Sequence, residues 1–247
     1  MIRVKTEEEI ELMREPNRIV GDCLKFVGER IKAGMTTKEV DTLVYEFIKA
    51  SGAEPSCLGY CGYPASACVS VNEVVVHGIP DGRVIENGDI VSVDLCAYKN
   101  GFHGDGARTF CIGEVSEEKK KLVRVTEECF FKAIEGLRAG TPLYDIGYRV
   151  QQHAEGNGFS VIRAYTGHGI GREMHEDPSV LNYGKRGTGV RLPANAVLCI
   201  EPMIAAGGYR VRVARDGWTA ITVDGKSAAH YENTLVIRED GVEILTL

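Results

Sequence analysis

An internal echo constrains this chain more than any other feature. Shifted by 106 residues, IKAGMTTKEVDTLVYEFIKASG (31–52) falls on LRAGTPLYDIGYRVQQHAEGNG (137–158). Ala33/Ala139, Gly34/Gly140, Val44/Val150 and Gly52/Gly158 coincide, and Ile31/Leu137, Lys32/Arg138, Glu39/Asp145 and Val40/Ile146 are like for like. Shifted by 107, GRVIENGDIVSVD (82–94) falls on GVRLPANAVLCIE (189–201), pairing Val91/Leu198, Val93/Ile200 and Asp94/Glu201. A drift of one residue is a loop difference. Two matches in the same order at nearly one offset predict two similar halves, each delivering a carboxylate from the end of an apolar strand. The expected organisation is a single domain over 1–247, its halves meeting near 113/114.

Helix signals follow the same duplication. Thr6-x-x-Glu9 is a capping box, and Ile10, Met13, Val20, Leu24, Val27 and Ile31 form an apolar stripe behind it. Thr36-x-x-Glu39 opens a second helix with Val40, Leu43, Val44, Phe47 and Ile48 on one face and Gly52 as its stop. In the second half Ser116 precedes a helix through Leu137, and Thr141-Pro142 reads as an N-cap followed by proline at the first helical position. The β-rich stretches are Ala67–Val76, Asp89–Tyr98, Phe102–Ile112, Ala196–Ile204, Tyr209–Val213, Trp218–Val223 and Ala228–Ile237. Two helices followed by grouped strands, twice over, predict an α+β fold: an antiparallel sheet shared by both halves, with helices on one face.

Charge and cysteine content exclude several classes. With 29 Lys and Arg against 35 Asp and Glu, the net charge is −6 and no basic block is present, which argues against a dedicated nucleic-acid or anionic-membrane binder. No apolar run reaches bilayer length, and MIRVKTEEEIELM turns acidic at once, so no signal peptide is expected. Eight cysteines without a CxxC pair read as reduced thiols of a cytoplasmic protein.

The chemistry begins in DIVSVDLCAYKNGFHGDGARTF. Asn100-Gly101 between alternating apolar runs predicts a two-residue hairpin loop, so paired positions sum to 201. Asp105 then faces Cys96, Asp94 faces Ala107, and the two acids project from one face as diagonal neighbours. Asp94 interrupts a strand in which Asp is depleted. Asp105 lies in the turn-like HGDG, where an Asx bond is the bland alternative. A bare pair of carboxylates repels, and a cation is the simplest resolution. Glu201 after AVLCI, Glu232 in AAHYENTLVI and His168 in YTGHGIG add two acids and an imidazole at strand ends or glycine turns. The three glycines around His168 predict a close approach of backbone to something. Oxygen-rich ligation with one histidine suits a pair of divalent ions such as Mn²⁺, Fe²⁺ or Co²⁺, as in two-metal hydrolases. His103 and His153 read as locally bonded histidines, HEDP is not HExxH because Pro178 would end such a helix, and GKS at 225–227 reads as a hairpin turn.

VNEVVVHGIPD, SVDLCAYKNGFHGDGARTF, TGHGIGREMHEDP, LCIEPM and DGWTAITVDGKSAAHYENT, in this order and spacing, resemble the type I methionine aminopeptidases over essentially the whole chain. The resemblance implies the pita-bread fold, a duplicated half-domain whose helices back a curved antiparallel sheet. It implies that Asp94 chelates one metal, that Asp105 and Glu232 bridge two, and that His168 and Glu201 hold the other. A water or hydroxide between the ions would be the nucleophile, with Glu201 also shuttling its proton to the leaving amine. His175 matches the histidine that bonds the scissile carbonyl and its oxyanion, and His77 the one that contacts the first peptide nitrogen. Cys57, Tyr60, Tyr63, Cys68, Trp218 and Met174 match the methionine pocket, where sulfur and aromatic groups suit a thioether.

The function so implied is removal of the initiator methionine from nascent chains with a small second residue. The acting form would be a monomer in the cytoplasm, with the ribosome as a candidate partner and no nucleic acid or membrane involved. The alternatives are a prolidase or Xaa-Pro aminopeptidase-like hydrolase on the same fold and metals, or a pita-bread module that only binds peptides. Several residues depart from the family pattern. Cys61 stands where a histidine is common, His230 where a glutamine is common, and Gly106-Ala107 where a Thr-Ser-like pair follows the bridging acid. Met174 stands where the family often has Phe.

Overall fold

Both capping boxes form. In the computed structural model, which describes all 247 residues, Thr6 accepts from the Glu9 N–H while the Glu9 carboxylate accepts from the Thr6 N–H, opening α1 (Glu7–Gly28). Thr36 and Glu39 do the same for α2 (Thr37–Ala50). Each reciprocal pair satisfies two backbone donors that a helix start leaves open. The Ser116 hydroxyl accepts from Lys119 N–H at the head of α3 (Glu117–Ile134), and α4 (Tyr144–Gly156) completes the set. In the offset frame α1 and α2 correspond to α3 and α4.

Three helix boundaries differ from the sequence reading. α1 stops at Gly28 and α3 at Ile134, so Ile31 and Leu137 lie beyond the helices they were expected to continue. At α4 the expected Thr141 cap does not form. Pro142 bridges Arg191, the Thr141 carbonyl accepts from Leu192 N–H, and the Thr141 hydroxyl accepts from Arg138 N–H. The chain is held extended there by a neighbouring segment, and the helix starts two residues later.

Nine strands form one antiparallel sheet whose spine runs Glu54–Pro55, Ile90–Lys99, Phe102–Cys111, Glu232–Ile237, Val197–Ile200, Gly167–Gly169, Glu176–Val180. Ala67–Val71 also pairs with Ile90–Lys99, and Val242–Ile244 with Glu232–Ile237. The predicted hairpin register holds throughout: Cys96 opposes Asp105 and Asp94 opposes Ala107. Asn100 and Gly101 both have positive φ, at 56° and 82°, as a two-residue primed turn requires. The halves join where Glu232 pairs with Ala107 and Asn233 with Gly106.

Several expected strands are interrupted. Ala67–Val76 folds back at Asn72, Ala196–Ile204 breaks at Glu201-Pro202, and Ala228–Ile237 breaks at Tyr231, so six shorter strands replace three. Ser160–Val161, Gly167–Gly169 and Glu176–Val180 carry too little apolar alternation to be read as strands and are made by pairing alone.

The helices back the sheet with one large core per half, and a smaller cluster joins Ile10 and Met13 of α1 to Val197, Cys199 and Val236. Val91, Val93, Leu95 and Ala97 point into the cluster beneath α1 and α2. Leu198, Ile200, Leu235 and Ile237 point into the larger cluster beneath α3 and α4. Burying each such aliphatic side chain contributes about 1.5–3 kcal/mol, which fixes the sheet's orientation. The alternate residues of the same strands, Asp94 and Cys96 among them, therefore face the opposite, concave side.

Gly167 and Gly169 flank His168 and make the close approach expected of them. A Cβ at Gly167 would fall 2.3 Å from the Cys199 carbonyl oxygen, and one at Gly169 2.2 Å from that of Asp177. We expect Gly167→Ala to destabilise the fold by about 1–3 kcal/mol in a denaturant titration. Gly156→Ala, in α4 with open space around it, should be neutral or stabilising by about 0.5–1 kcal/mol.

Candidate metal centre and active site

Five consecutive strands of the sheet each deliver one donor to the concave face. In spatial order these are Asp94 from Ile90–Lys99, Asp105 from Phe102–Cys111, Glu232 from the start of Glu232–Ile237, Glu201 just past Val197–Ile200, and His168 from Gly167–Gly169. The Pro202 break lets Glu201 turn out of its strand. Its carbonyl is held by the Asn182 side-chain amide at 2.9 Å.

The donors converge. His168 Nε2 lies 3.7 Å from Asp105 Oδ2 and 3.6 Å from Glu201 Oε1. Donor atoms of Asp105, His168, Cys199 and Glu232 all fall within 4.8 Å of one another, as do those of Asp94, Cys96 and Asp105. His168 Nδ1–H donates to the Gly169 carbonyl at 2.9 Å, which leaves the Nε2 lone pair aimed at the carboxylates.

No lysine or arginine lines this site. Burial, then the charge of Asp105, pushes the Asp94 carboxyl up to about 8, and burial, then Glu201, pushes Asp105 up to about 7. Burial also raises Glu201 and Glu232 well above the usual carboxylate range, with Asp105 the next cause at Glu232. His168 is pushed down to about 3 by burial and by His175. Asp105 Oδ1 and Glu232 Oε1 are buried without a hydrogen-bond partner. Four acids, a lone-pair-bearing imidazole and orphaned carboxylate oxygens fit divalent cations as the missing counter-charge.

The cluster forms the floor of a cavity of about 160 Å³ lined by all thirteen residues singled out from the sequence: the five donors, His77, His175, Cys57, Tyr60, Tyr63, Cys68, Met174 and Trp218. Cys57, Tyr63, Cys68, Cys96 and Met174 pack as one apolar cluster with Trp218 against it. Tyr63 meets Trp218 edge-on at 5.1 Å. The loop carrying Cys57 to Tyr63 is tied down at its far end, where Asp41 of α2 accepts from Ser66 and Ala67 N–H.

The two non-ligand histidines are held differently. His175 Nδ1 is 2.8 Å from the Tyr60 hydroxyl, and its ring packs at a tilt against that of His168, 4.4 Å between centres. Burial depresses its pKa, so the ring is neutral and, with Tyr60 O–H donating to Nδ1, carries its proton on Nε2. The buried Lys5–Glu176 pair at 2.6 Å anchors the strand that begins beside it. His77 sits at φ 59°, a left-handed conformation unusual for a residue with a side chain, and packs edge-on against Tyr165 at 5.2 Å. His103 and His153 bond locally, to Ser56 and Glu128, away from this cavity.

Sequence reasoning missed two thiols and an imidazole. Cys96 and Cys199 stand among the metal donors, and His230 is buried against Glu201 and Glu232. Cys96 was visible as the partner of Asp105 in the hairpin register. The other two could not be found that way, because their neighbours come from strands distant in sequence.

This chain belongs to the metallopeptidase family M24, whose model matches residues 11–239. Within that class it is similar to methionine aminopeptidase of Clostridium perfringens, at 52% identity over 100% of this chain and 99% of that one. It is also similar to the crystal structure of methionine aminopeptidase from Thermotoga maritima, with a TM-score of 0.98 and 49% identity over 100% and 99% of the two chains. The X-Pro aminopeptidase of the same organism shares the fold at a TM-score of 0.77 and 27% identity, but only 62% of that longer chain is covered.

The raised carboxylates make metal binding proton-linked. An unfolded Asp ionises near pH 4, whereas Asp94 and Asp105 in the metal-free fold hold protons to about 8 and 7. Between those limits the unfolded chain binds fewer protons, so the stability carried by these groups is present at low pH and lost as pH rises through 7 to 8. A cation that displaces those protons binds better at higher pH. The rise in melting temperature on adding Mn²⁺ should therefore be larger at pH 8 than at pH 6 by scanning calorimetry, and equal rises would contradict ligation by these acids.

Proposed function

We propose that this chain removes the N-terminal methionine from nascent polypeptides with a small second residue, by metal-dependent hydrolysis of the first peptide bond. The observation that carries the reading is the continuity of the sulfur- and aromatic-lined pocket with the five-strand donor cluster. It offers a place for an unbranched thioether beside a hydrolytic centre. The full-length similarity to methionine aminopeptidases, against partial coverage of longer X-Pro enzymes, supports this over the Xaa-Pro alternative.

In this reading Asp94, Asp105, Glu232, Glu201 and His168 hold two divalent ions, of which Mn²⁺, Fe²⁺ and Co²⁺ suit the donor set. Such ions supply Lewis acidity that makes water nucleophilic near neutral pH. The remaining work belongs to the chain. Glu201, whose carboxylate reaches the donor cluster beside His168, carries the proton from water to the leaving amine. His175 donates Nε2–H to the scissile carbonyl and to the oxyanion that develops there, with Tyr60 fixing its tautomer. His77, held rigidly between Tyr165 and Trp218, receives the first peptide nitrogen. Cys57, Tyr60, Tyr63, Cys68, Met174 and Trp218 seat the methionine side chain. The free α-amine would meet the cluster's negative field, which explains the removal of one residue only.

The proposal extends to the whole chain acting as one catalytic domain, since the sheet runs unbroken through both halves and the donors come from both. It includes action as a monomer in the cytoplasm on chains leaving the ribosome, with eight free thiols fitting a reducing compartment.

Chelator-stripped protein resupplied with Mn²⁺, Fe²⁺ or Co²⁺ should release free methionine from Met-Ala-Ser, and nothing from its N-formyl form or from Xaa-Pro peptides. Cleavage of Xaa-Pro instead would move the assignment to the prolidase-like reading. Absence of cleavage with every metal would make the chain a peptide-binding module. His175→Ala should lower kcat/KM about 10²–10³-fold with metal affinity retained. Tyr60→Phe, which loses a single hydrogen bond of about 1 kcal/mol, should cost about 5-fold.

A further inference from the structure

His230 is the group that neither the ligand set nor the pocket accounts for. It is 1% exposed, and neither ring nitrogen has a hydrogen-bond partner. Leaving such a group unsatisfied costs about 1–3 kcal/mol, and a strand in the interior could carry an apolar residue instead. The backbone fixes the ring in place. His230 pairs with Met203 two residues beyond Glu201, its N–H donates to Thr109 Oγ1 at 3.0 Å, and its carbonyl accepts from the Thr109 hydroxyl at 2.8 Å.

The ring approaches the donor cluster at a Glu201 oxygen other than the one His168 approaches. His230 Nε2 lies 3.6 Å from Glu201 Oε2 and 4.0 Å from Glu232 Oε2, while His168 Nε2 lies 3.6 Å from the other Glu201 oxygen, Oε1. The Glu201 carboxylate is thus bracketed by two imidazoles, one per oxygen. Their proton positions differ for a local reason. His168 has a carbonyl to accept its Nδ1 proton, so its Nε2 is a lone pair. His230 Nδ1 has no acceptor within reach, so a ring proton is best used on Nε2, where the carboxylates are.

We propose that His230 is a positioning residue of the metal centre, its Nε2–H donating to Glu201 Oε2 and thereby presenting Oε1 to the ion that His168 faces. The gap is about 0.7 Å longer than an N–H···O bond, within reach of a small rotation of the Glu201 side chain. Glu201 sits past the end of its strand at the Pro202 break, where the ladder no longer holds it, so its carboxylate needs an outside partner to keep one orientation. A hydrogen bond to the outer oxygen of a ligand carboxylate orients it and tunes its affinity for the ion. The inference rests on the metallopeptidase reading and names a residue by which this chain supports its ligands.

The test is metal titration by calorimetry of chelator-stripped wild type, His230→Gln and His230→Leu, together with the visible spectrum of each Co²⁺ form. The two replacements are similar in volume, but only Gln can donate to Glu201. His230→Leu should bind Mn²⁺ and Co²⁺ about 10–100-fold more weakly and alter the Co²⁺ absorption bands. His230→Gln should recover most of the affinity and a spectrum near that of wild type. Thermal melts of the metal-free forms identify variants folded at the titration temperature. Equal affinity in folded Leu and Gln variants, whether both high or both low, would overturn the donor role. Wild type that binds no divalent ion would instead overturn the metal-centre reading on which it stands.

Discussion

Four carboxylates gathered on the concave face of one sheet, with no lysine or arginine among them, are the constraint around which the rest of the molecule is organised. Burial raises every one of them above the usual carboxylate range, and repulsion from neighbouring acids adds to it at Asp94, Asp105 and Glu232. A fold can hold such a group only if its backbone is over-determined from elsewhere. Here that support comes from the opposite face, where two apolar cores beneath four helices pin the strands. Because alternate residues point to opposite faces, packing Val93 and Leu95 against α1 and α2 commits Asp94 to the other side. The instability of the acids is thus offset by burial at positions one residue away, and a divalent cation held among them would relieve it.

The geometry of the five donor strands divides the work between rigid and adjustable parts. Asp94 and Asp105 lie within a hairpin of two ten-residue strands paired over their full length and have little freedom. Glu201 follows a strand that stops at Pro202, and its side chain lies between His168 and His230. The candidate ligand proposed to move a proton stands just past the end of its strand, and it is the one with an imidazole facing each oxygen. His77 adds a second instance of local expense at the site. A left-handed backbone at a non-glycine residue persists because Tyr165 and Trp218 brace its ring.

Much of the fold was legible wherever a local rule had one outcome. Capping boxes at Thr6 and Thr36 allowed one helix start each, and Asn100-Gly101 allowed one register, which put Asp94 and Asp105 on one face. Legibility failed where a neighbouring segment overruled the local signal. Thr141-Pro142 looks like a cap but is held extended by Arg191 and Leu192. The strand around His168 has glycines in place of an apolar pattern, because its neighbours approach to where a Cβ would stand. The resemblance to known enzymes supplied roles that periodicity could not: the five candidate ligands were already suspected from their chemistry, whereas His77, His175 and the pocket residues were named by the resemblance alone.

The sequence by itself determined the duplication, the helices, the hairpin carrying two acids, and the five residues whose chemistry suits a metal. These follow from short-range stereochemistry and side-chain chemistry, which a linear chain displays directly. Only the tertiary structure decided that the five donors come from five adjacent strands, because the order of strands in a sheet depends on which cores bury together. It alone put His230 against Glu201, a contact between residues on separate strands with no motif to announce it. Local rules state which atoms are available. Long-range packing decides which of them meet.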